Sequence, residues 1–246
     1  MSFVFFGAGS LIMGLVLFPV IHLLMTDTLS AQRACRKSVH FSFRLFIWFM
    51  NTTSVLSYVI GGDRKFQPGQ LVVANHPSLI DVIFIVAQIP DAYCVVKEGI
   101  RRNLFTSMIV RSTGWVSSAD PEQMIERCAE ILRDGGTVVM FPEGTRTVPG
   151  RPIVFKRGAS MVFLRARTDL VPIYLRFSHP VLAKHDAWFK LRRSKLRFEM
   201  DIGTPLPFRE VMPEEGSERQ TSRVCTMRLE NLFAEQLRRW KTSWRT

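Results

Sequence analysis

Residues 71–86, LVVANHPSLIDVIFIV, constrain the fold more than any other stretch of the chain. The apolar run Leu71-Val72-Val73-Ala74 reads as a buried strand, it stops at Asn75-His76-Pro77, and a second apolar run begins at Leu79. Proline disfavours helical geometry in the residue before it, so His76 is biased to extended backbone. Pro77 itself suits the first position of a helix, where its missing N–H costs nothing. The predicted unit is therefore strand, tight corner and helix, the helix over 79–87. Asp81 lies five residues after His76, within reach of the ring across a turn. A carboxylate on one ring nitrogen fixes the tautomer and leaves the other nitrogen free to take a proton. The competing reading is a satisfied polar histidine at a strand end, with Asp81 merely favoured near a helix N-terminus.

From residue 71 onward strands and helices alternate. Strands are predicted over 71–74, 93–96, at 116, and over 137–141, 170–177 and 196–202. Helices are predicted around 103–111, after an Asp120-Pro121-x-Gln123 start signal closed by Gly135-Gly136, and over 158–167. This pattern predicts an α/β fold, a mixed and largely parallel sheet flanked by helices. Ligands in such folds gather beyond the carboxyl ends of strands. The His76 corner and the loop after Phe141 both lie at such ends and are expected to be neighbours.

That loop reads FPEGTRT. Pro142 and Gly144 shape a turn, Glu143 and Arg146 supply charge, and an arginine fork is a natural holder of phosphate. Lys156-Arg157-Gly158 brings cations to the start of the next helix, where the dipole also favours an anion. An exposed polar turn with a local Glu–Arg pair is the alternative.

Residues 3–25 carry no formal charge, taking His22 as neutral. As one helix they would extend about 34 Å, enough to enter or cross a bilayer. A cleaved signal peptide competes, against the absence of a basic n-region. Arg33, Arg36 and Lys37 follow, opposed only by Asp27, which places the remainder on the cytoplasmic side by the positive-inside rule. Residues 41–60 are apolar again but interrupted by Arg44 and by 51–54. They read as an interfacial or re-entrant helix with Trp48 near the headgroups, or else as a core helix. The expected division is a membrane-anchoring helical segment, 1–62, and an α/β domain, 63–246.

The chain carries 33 Lys and Arg against 21 Asp and Glu, a formal charge of +12. An acidic partner surface follows: anionic lipid, nucleic acid or an acidic carrier protein. The basic run 189–198 reads as a solvated hairpin edge or a contact with such a partner. Phe233, Leu237, Trp240 and Trp244 recur at helical spacing beside basic residues, which suits either a membrane interface or the core. Four scattered cysteines fit a reduced compartment, and no metal-ligand pattern, P-loop or dinucleotide fingerprint is present.

NHPSLID, then FPEGTRT some sixty residues later, then Val171-Pro172-Ile173, resembles the glycerolipid acyltransferases over about 70–180. The paired motifs are far more specific than either alone. The resemblance implies that His76 is the catalytic base and Asp81 its orienting carboxylate. It implies that Glu143, Gly144, Thr145 and Arg146 bind the acceptor's glycerol phosphate, and that Lys156 belongs to the basic stretch after that block. Val171, Pro172 and Ile173 match a block linked to acyl-chain or donor binding. The implied reaction moves an acyl chain from acyl-CoA or acyl carrier protein to a lyso-glycerophospholipid such as lysophosphatidate, with no cofactor and no metal. The implied setting is the cytoplasmic face of a bacterial inner membrane, with membrane lipids and acyl carrier protein rather than nucleic acid as partners. One block departs: Gly114 is present, but TGWVSSADPE lacks the arginine that usually follows. That departure leaves room for a specialised lyso-lipid acceptor, such as an ornithine-lipid or aryl-polyene-lipid precursor, or for a membrane-tethered scaffold without catalysis.

Overall fold

The computed structural model describes residues 7, 9–63, 65–102, 104–148, 150–178, 196–211 and 217–242. A π-helical turn (Met13–Leu17) leads into α1 (Phe18–Leu24). Asp27 then opens α2 (Thr28–Thr52) by accepting from the N–H groups of Leu29 and Ser30. There follow β1 (Leu56–Gly62), β2 (Leu71–Ala74), α3 (Asp81–Val86), β3 (Ala92–Val96), α4 (Glu98–Arg102), α5 (Leu104–Thr113) and β4 (Val116–Ser117). The rest comprises α6 (Pro121–Arg133), β5 (Thr137–Met140), α7 (Gly158–Ala166), β6 (Leu170–Phe177), β7 (Leu196–Ile202), α8 (Phe208–Val211) and α9 (Glu218–Thr242).

The strands form one sheet in the order β1-β7-β6-β2-β5-β3-β4. Every pairing is parallel except β6 with β7, which is antiparallel. The mixed, largely parallel sheet read from the sequence is what forms. β2 lies near the middle and is buried on both sides, which explains its unbroken apolar run. Its side chains alternate between two cores. Val72 and Ala74 pack with α2, α3 and α5 on one face, while Leu71 and Val73 pack with α6, α7 and α9 on the other. After β2 the chain moves to the β3 side, and after β5 it crosses back to β6. The sheet's switch point therefore lies around β2, between β5 and β6, where a ligand crevice belongs.

Two expectations are corrected and one open choice is settled for the described residues. The apolar run 41–60 is not one helical segment: α2 ends at Thr52, and residues 56–62 form β1, paired with β7 from Leu56↔Leu196 to Gly62↔Ile202. The boundary at 62 thus falls at the end of a strand of the sheet. Gly62 has φ +81°, and a Cβ there would lie 1.9 Å from the Ile202 carbonyl oxygen, so this close crossing requires glycine. Pro77 is not at the first helical position. The corner makes its own turn through Ser78, and α3 starts at Asp81. Of the two readings of the C-terminal stretch, core packing holds for what is described. Phe233 is buried and Trp240 packs against the α6–α7 core, while Trp244 lies outside the described residues.

Among the described residues no helix is long and apolar enough to cross a membrane. Residues 3–6 and 8, and most of the basic run 189–198, lie outside them. The outer sides of the π-helical turn, α1 and α2 are nonetheless apolar and exposed, at Leu15, Val16, Val20, Leu23, Leu24, Phe41, Leu45 and Trp48.

Candidate active site

The site grows from the end of β2. Asn75, the first residue past the strand, is buried, and its side chain doubles as a piece of sheet. Its Nδ2 donates to the Leu175 carbonyl at 2.9 Å and its Oδ1 accepts from the Leu175 N–H at 2.8 Å. A buried amide is tolerated only when bonded in this way, and here the bonds set the direction in which the chain leaves the sheet.

His76 follows at the corner. Its Nδ1 lies 2.9 Å from Asp81 Oδ2, and that oxygen also accepts from the Ser78 N–H at 2.7 Å. Ser78 Oγ donates to the other carboxylate oxygen at 2.9 Å. Asp81 is fully buried; burial pushes its carboxyl up, and the bonds from His76 and Ser78 pull the other way. With Oδ2 acting as acceptor, Nδ1 carries the hydrogen and Nε2 is left as the proton acceptor. The His76 side chain is 22% exposed, stacks on Phe141 at 4.4 Å, and makes no further hydrogen bond among the described residues. The ring is thus held in one orientation, with Nε2 making no hydrogen bond among the described residues.

The second loop is fastened to the first. The His76 N–H donates to Glu143 Oε1 at 2.9 Å, the Thr147 N–H donates to the His76 carbonyl at 2.7 Å, and Thr147 Oγ1 donates to Glu143 Oε1 at 2.7 Å. The expected meeting of the two motifs is therefore present, as a three-bond bracket that ties both backbone groups of His76 to the second loop. Glu143 is buried, which pushes its carboxyl up, while the bonds from Thr147 and His76 oppose that. The resemblance makes Glu143 an acceptor ligand; in the structure its Oε1 takes part in the bracket.

Gly144 has φ +62°, and a Cβ on it would meet the Lys156 side chain at 3.0 Å. The turn thus lets Lys156 fold over it, and Lys156 N donates to the Pro142 carbonyl at 2.8 Å. Thr145 and Arg146 are half-buried beside this cation. Val171 and Ile173 are buried in β6, pairing with Val72 and Ala74, and Pro172 lies between them opposite Val73. They lie in the strand next to the one that ends at the corner. Gly114 sits beyond β3, at the far edge from β6, with φ +69° against the Gln32 side chain.

Sequence reasoning overlooked Asn75, Ser78 and Thr147. Their signal was local: polar side chains flanking the two motifs, with hydrogen-bond partners that only tertiary structure supplies. All four cysteines are buried, and burial pushes the Cys35 thiol to about 11 and the Cys128 thiol to about 12. None is a ready nucleophile. Among the described residues no cluster of histidine, cysteine and carboxylate groups is suited to hold a metal.

Residues 57–176, from β1 to near the end of β6, match the family model described as Acyltransferase. That stretch belongs to the acyltransferase family. Similar relatives include the 1-acyl-sn-glycerol-3-phosphate acyltransferase of Cocos nucifera, 28% identical over 57% of this chain and 46% of its own length. That of Helicobacter pylori is 29% identical over 52% of this chain and 56% of its own. The chain thus spans about half the length of these curated relatives. The crystal structure of the 1-acyl-sn-glycerophosphate acyltransferase PlsC from Thermotoga maritima shares the fold, with TM-score 0.64. It covers 94% of this chain and 98% of its own at 19% identity.

Proposed function

We propose that this acyltransferase-family protein moves an acyl chain from a thioester, acyl-CoA or acyl carrier protein, to the free hydroxyl of 1-acyl-sn-glycerol-3-phosphate. The observation that carries this is the oriented His76–Asp81 pair, 2.9 Å apart, bracketed to the Glu143–Thr147 loop. In this reading Nε2 of His76 takes the acceptor's hydroxyl proton as the oxygen attacks the thioester carbonyl. The tetrahedral intermediate then collapses, the C–S bond breaks, and the thiolate leaves with the proton returned from His76. Arg146 and Lys156 supply the charge that holds the acceptor's phosphate, and Gly144 allows it close to the backbone. No acyl-enzyme is required, in keeping with four buried thiols.

The exposed apolar sides of α1 and α2 support attachment to a membrane surface, the natural source of a lyso-lipid. The proposed setting is the cytoplasmic face of a bacterial inner membrane. A second acceptor reading rests on the segment after Gly114, which lacks a cation. It is a lyso-lipid with a different headgroup.

The deciding experiment is thiol release by the purified full chain across a panel of lyso-lipids. Release that depends on lysophosphatidate supports the main reading, and release only with an amino-acid-headgroup lyso-lipid supports the second. No thioester consumption with any acceptor sinks both. Glu143 gives a sharper internal check. As a strut, its replacement by alanine should cost about 1–3 kcal/mol of stability and lower kcat while the acceptor KM stays near normal. Glu143→Gln, which keeps one acceptor oxygen, should lose far less. A raised KM with unchanged kcat would instead make Glu143 a substrate ligand.

A further inference from the structure

One stripe along the outer side of α2 mixes aromatic and basic side chains. Lys37, Phe41, Arg44, Leu45 and Trp48 follow one another at helical spacing, and all five are exposed. The side chains of Lys37 and Arg44 have no hydrogen-bond or ion-pair partner among the described residues. Arg33 and Arg36, earlier on the same helix, both meet Asp91. Exposed rings interleaved with unpartnered cations suit the headgroup layer of a bilayer, where the rings enter and the cations stay level with the phosphates.

Arg44 and Trp48 also line a cleft of about 470 Å³ walled by α2, β1 and the turn after α3. Its walls are pinned on both sides. His40 Nδ1 donates to the Val86 carbonyl at 2.8 Å, which ties α2 to the end of α3. The Tyr58 ring meets the buried Phe84 edge-on, 5.7 Å between centroids. Polar atoms form more of the exposed wall than apolar ones, and the polar side chains along it are His40, Arg44, Trp48, Tyr58 and Gln88. The other lining residues are apolar, so no carboxylate faces the cleft. The Arg44 guanidinium, the Trp48 indole N–H and the Tyr58 hydroxyl have no hydrogen-bond partner among the described residues. A wall rich in such donors and without carboxylates calls for an anion with several acceptor oxygens and no ammonium of its own.

We propose that this cleft seats the phosphodiester of an anionic membrane phospholipid whose headgroup lacks an amine, of the phosphatidylglycerol kind. Phe41, Leu45 and Trp48 then enter the acyl boundary beside it, while Arg44 bonds the phosphate at headgroup depth. The inference rests on the membrane attachment proposed above and adds a headgroup preference to it. A soluble phosphate compound would satisfy the donors but leave the surrounding rings in water. An amine-bearing headgroup would bring an ammonium beside Arg44 with no carboxylate to receive it.

The test is sedimentation of the full chain with three kinds of vesicle: phosphatidylcholine alone, and phosphatidylcholine mixed with either phosphatidylglycerol or phosphatidylserine. Salt is raised until it screens the diffuse surface potential. Arg44→Gln and Lys37→Gln remove the same charge from the same stripe, but only the first removes it from the cleft. Both side chains are exposed and unpartnered, so the variants should melt with the unmodified chain. The expected preference for phosphatidylglycerol falls roughly tenfold in Arg44→Gln, the scale of a lost charge-assisted hydrogen bond. Lys37→Gln should leave it nearly unchanged. Tyr58→Phe keeps the ring on Phe84 and deletes only the hydroxyl, and should lower it about two- to fivefold. Equal binding to all three vesicles would overturn the headgroup site and leave the attachment standing, while binding to none would overturn both. Phosphatidylserine bound as tightly as phosphatidylglycerol, equal losses in Arg44→Gln and Lys37→Gln, or an intact preference in Arg44→Gln would each overturn the site. Thioester turnover enters none of these readouts, so their failure is separate from failure of the acyl-transfer reading.

Discussion

A His76→Ala protein is expected to release thiol about two to four orders of magnitude more slowly than the unmodified chain, the usual worth of a positioned general base. The loss should fall on kcat, because the ring makes no contact that would hold a ground-state headgroup. Stability should suffer little. The side chain is partly exposed, and removing it deletes one bond to Asp81 and one stacking contact with Phe141. Asp81 keeps both bonds from Ser78 and is not left bare in the core. The backbone bracket involves the His76 N–H and C=O rather than the ring, so it survives the substitution. A cost of about 1 kcal/mol is expected. Single-turnover thiol release and a thermal melt on the same preparation check both halves. Near-normal turnover would remove His76 from the chemistry, whereas lost activity in an unfolded protein would mean only that the corner is structural.

The largest expected effect on stability lies away from the site. Arg36 is 3% exposed on α2, yet it is fully occupied. Its Nε lies 2.5 Å from Asp91 Oδ1, its NH1 donates to the Thr113 carbonyl at 2.8 Å, and its guanidinium covers Tyr93 at 3.7 Å from the ring centroid. One side chain thus fastens α2 to the start of β3 and to the end of α5. Arg36→Ala should destabilise the protein by about 3 kcal/mol, as breaking a buried charge pair usually does. For a chain of this size that is a fall of roughly 6–12 °C in melting temperature. Asp91 retains Arg33 at 3.0 Å and partial solvent contact, which keeps the cost from rising further. Arg36→Lys should not rescue it, because an ammonium cannot serve the carboxylate, the carbonyl and the ring face together. A loss below about 1 kcal/mol in urea melts would show that the clamp is dispensable.

These two residues also show what the sequence made legible. The His76 corner was readable because its parts are local: an apolar run, a proline, and a carboxylate one turn away. The Asp120 cap was equally plain, and its side chain does accept from Glu122 and Gln123. Arg36 reads in the sequence only as one of the basic residues after the apolar stretch, since nothing near it points to Asp91, which lies 55 residues on. β1 was hidden for the same reason. Its apolar letters continue those of α2, and its strand partner among the described residues, β7, begins 140 residues later. Glu143 was placed at the site by its motif, and the fold adds that its Oε1 accepts from the His76 N–H and from Thr147 Oγ1, partners that local sequence does not reveal.

The bracket around His76 has a bearing on how substrates get in. Because both backbone polar groups of His76 are tied to the neighbouring turn, and Asn75 just before it is riveted to β6, neither half of the crevice can swing away alone. Entry has to accommodate a rigid doorway. Changes in which lipids are accepted should therefore track the shape and charge of Thr145, Arg146 and Lys156 along its sill, and not the opening or closing of a hinged cover.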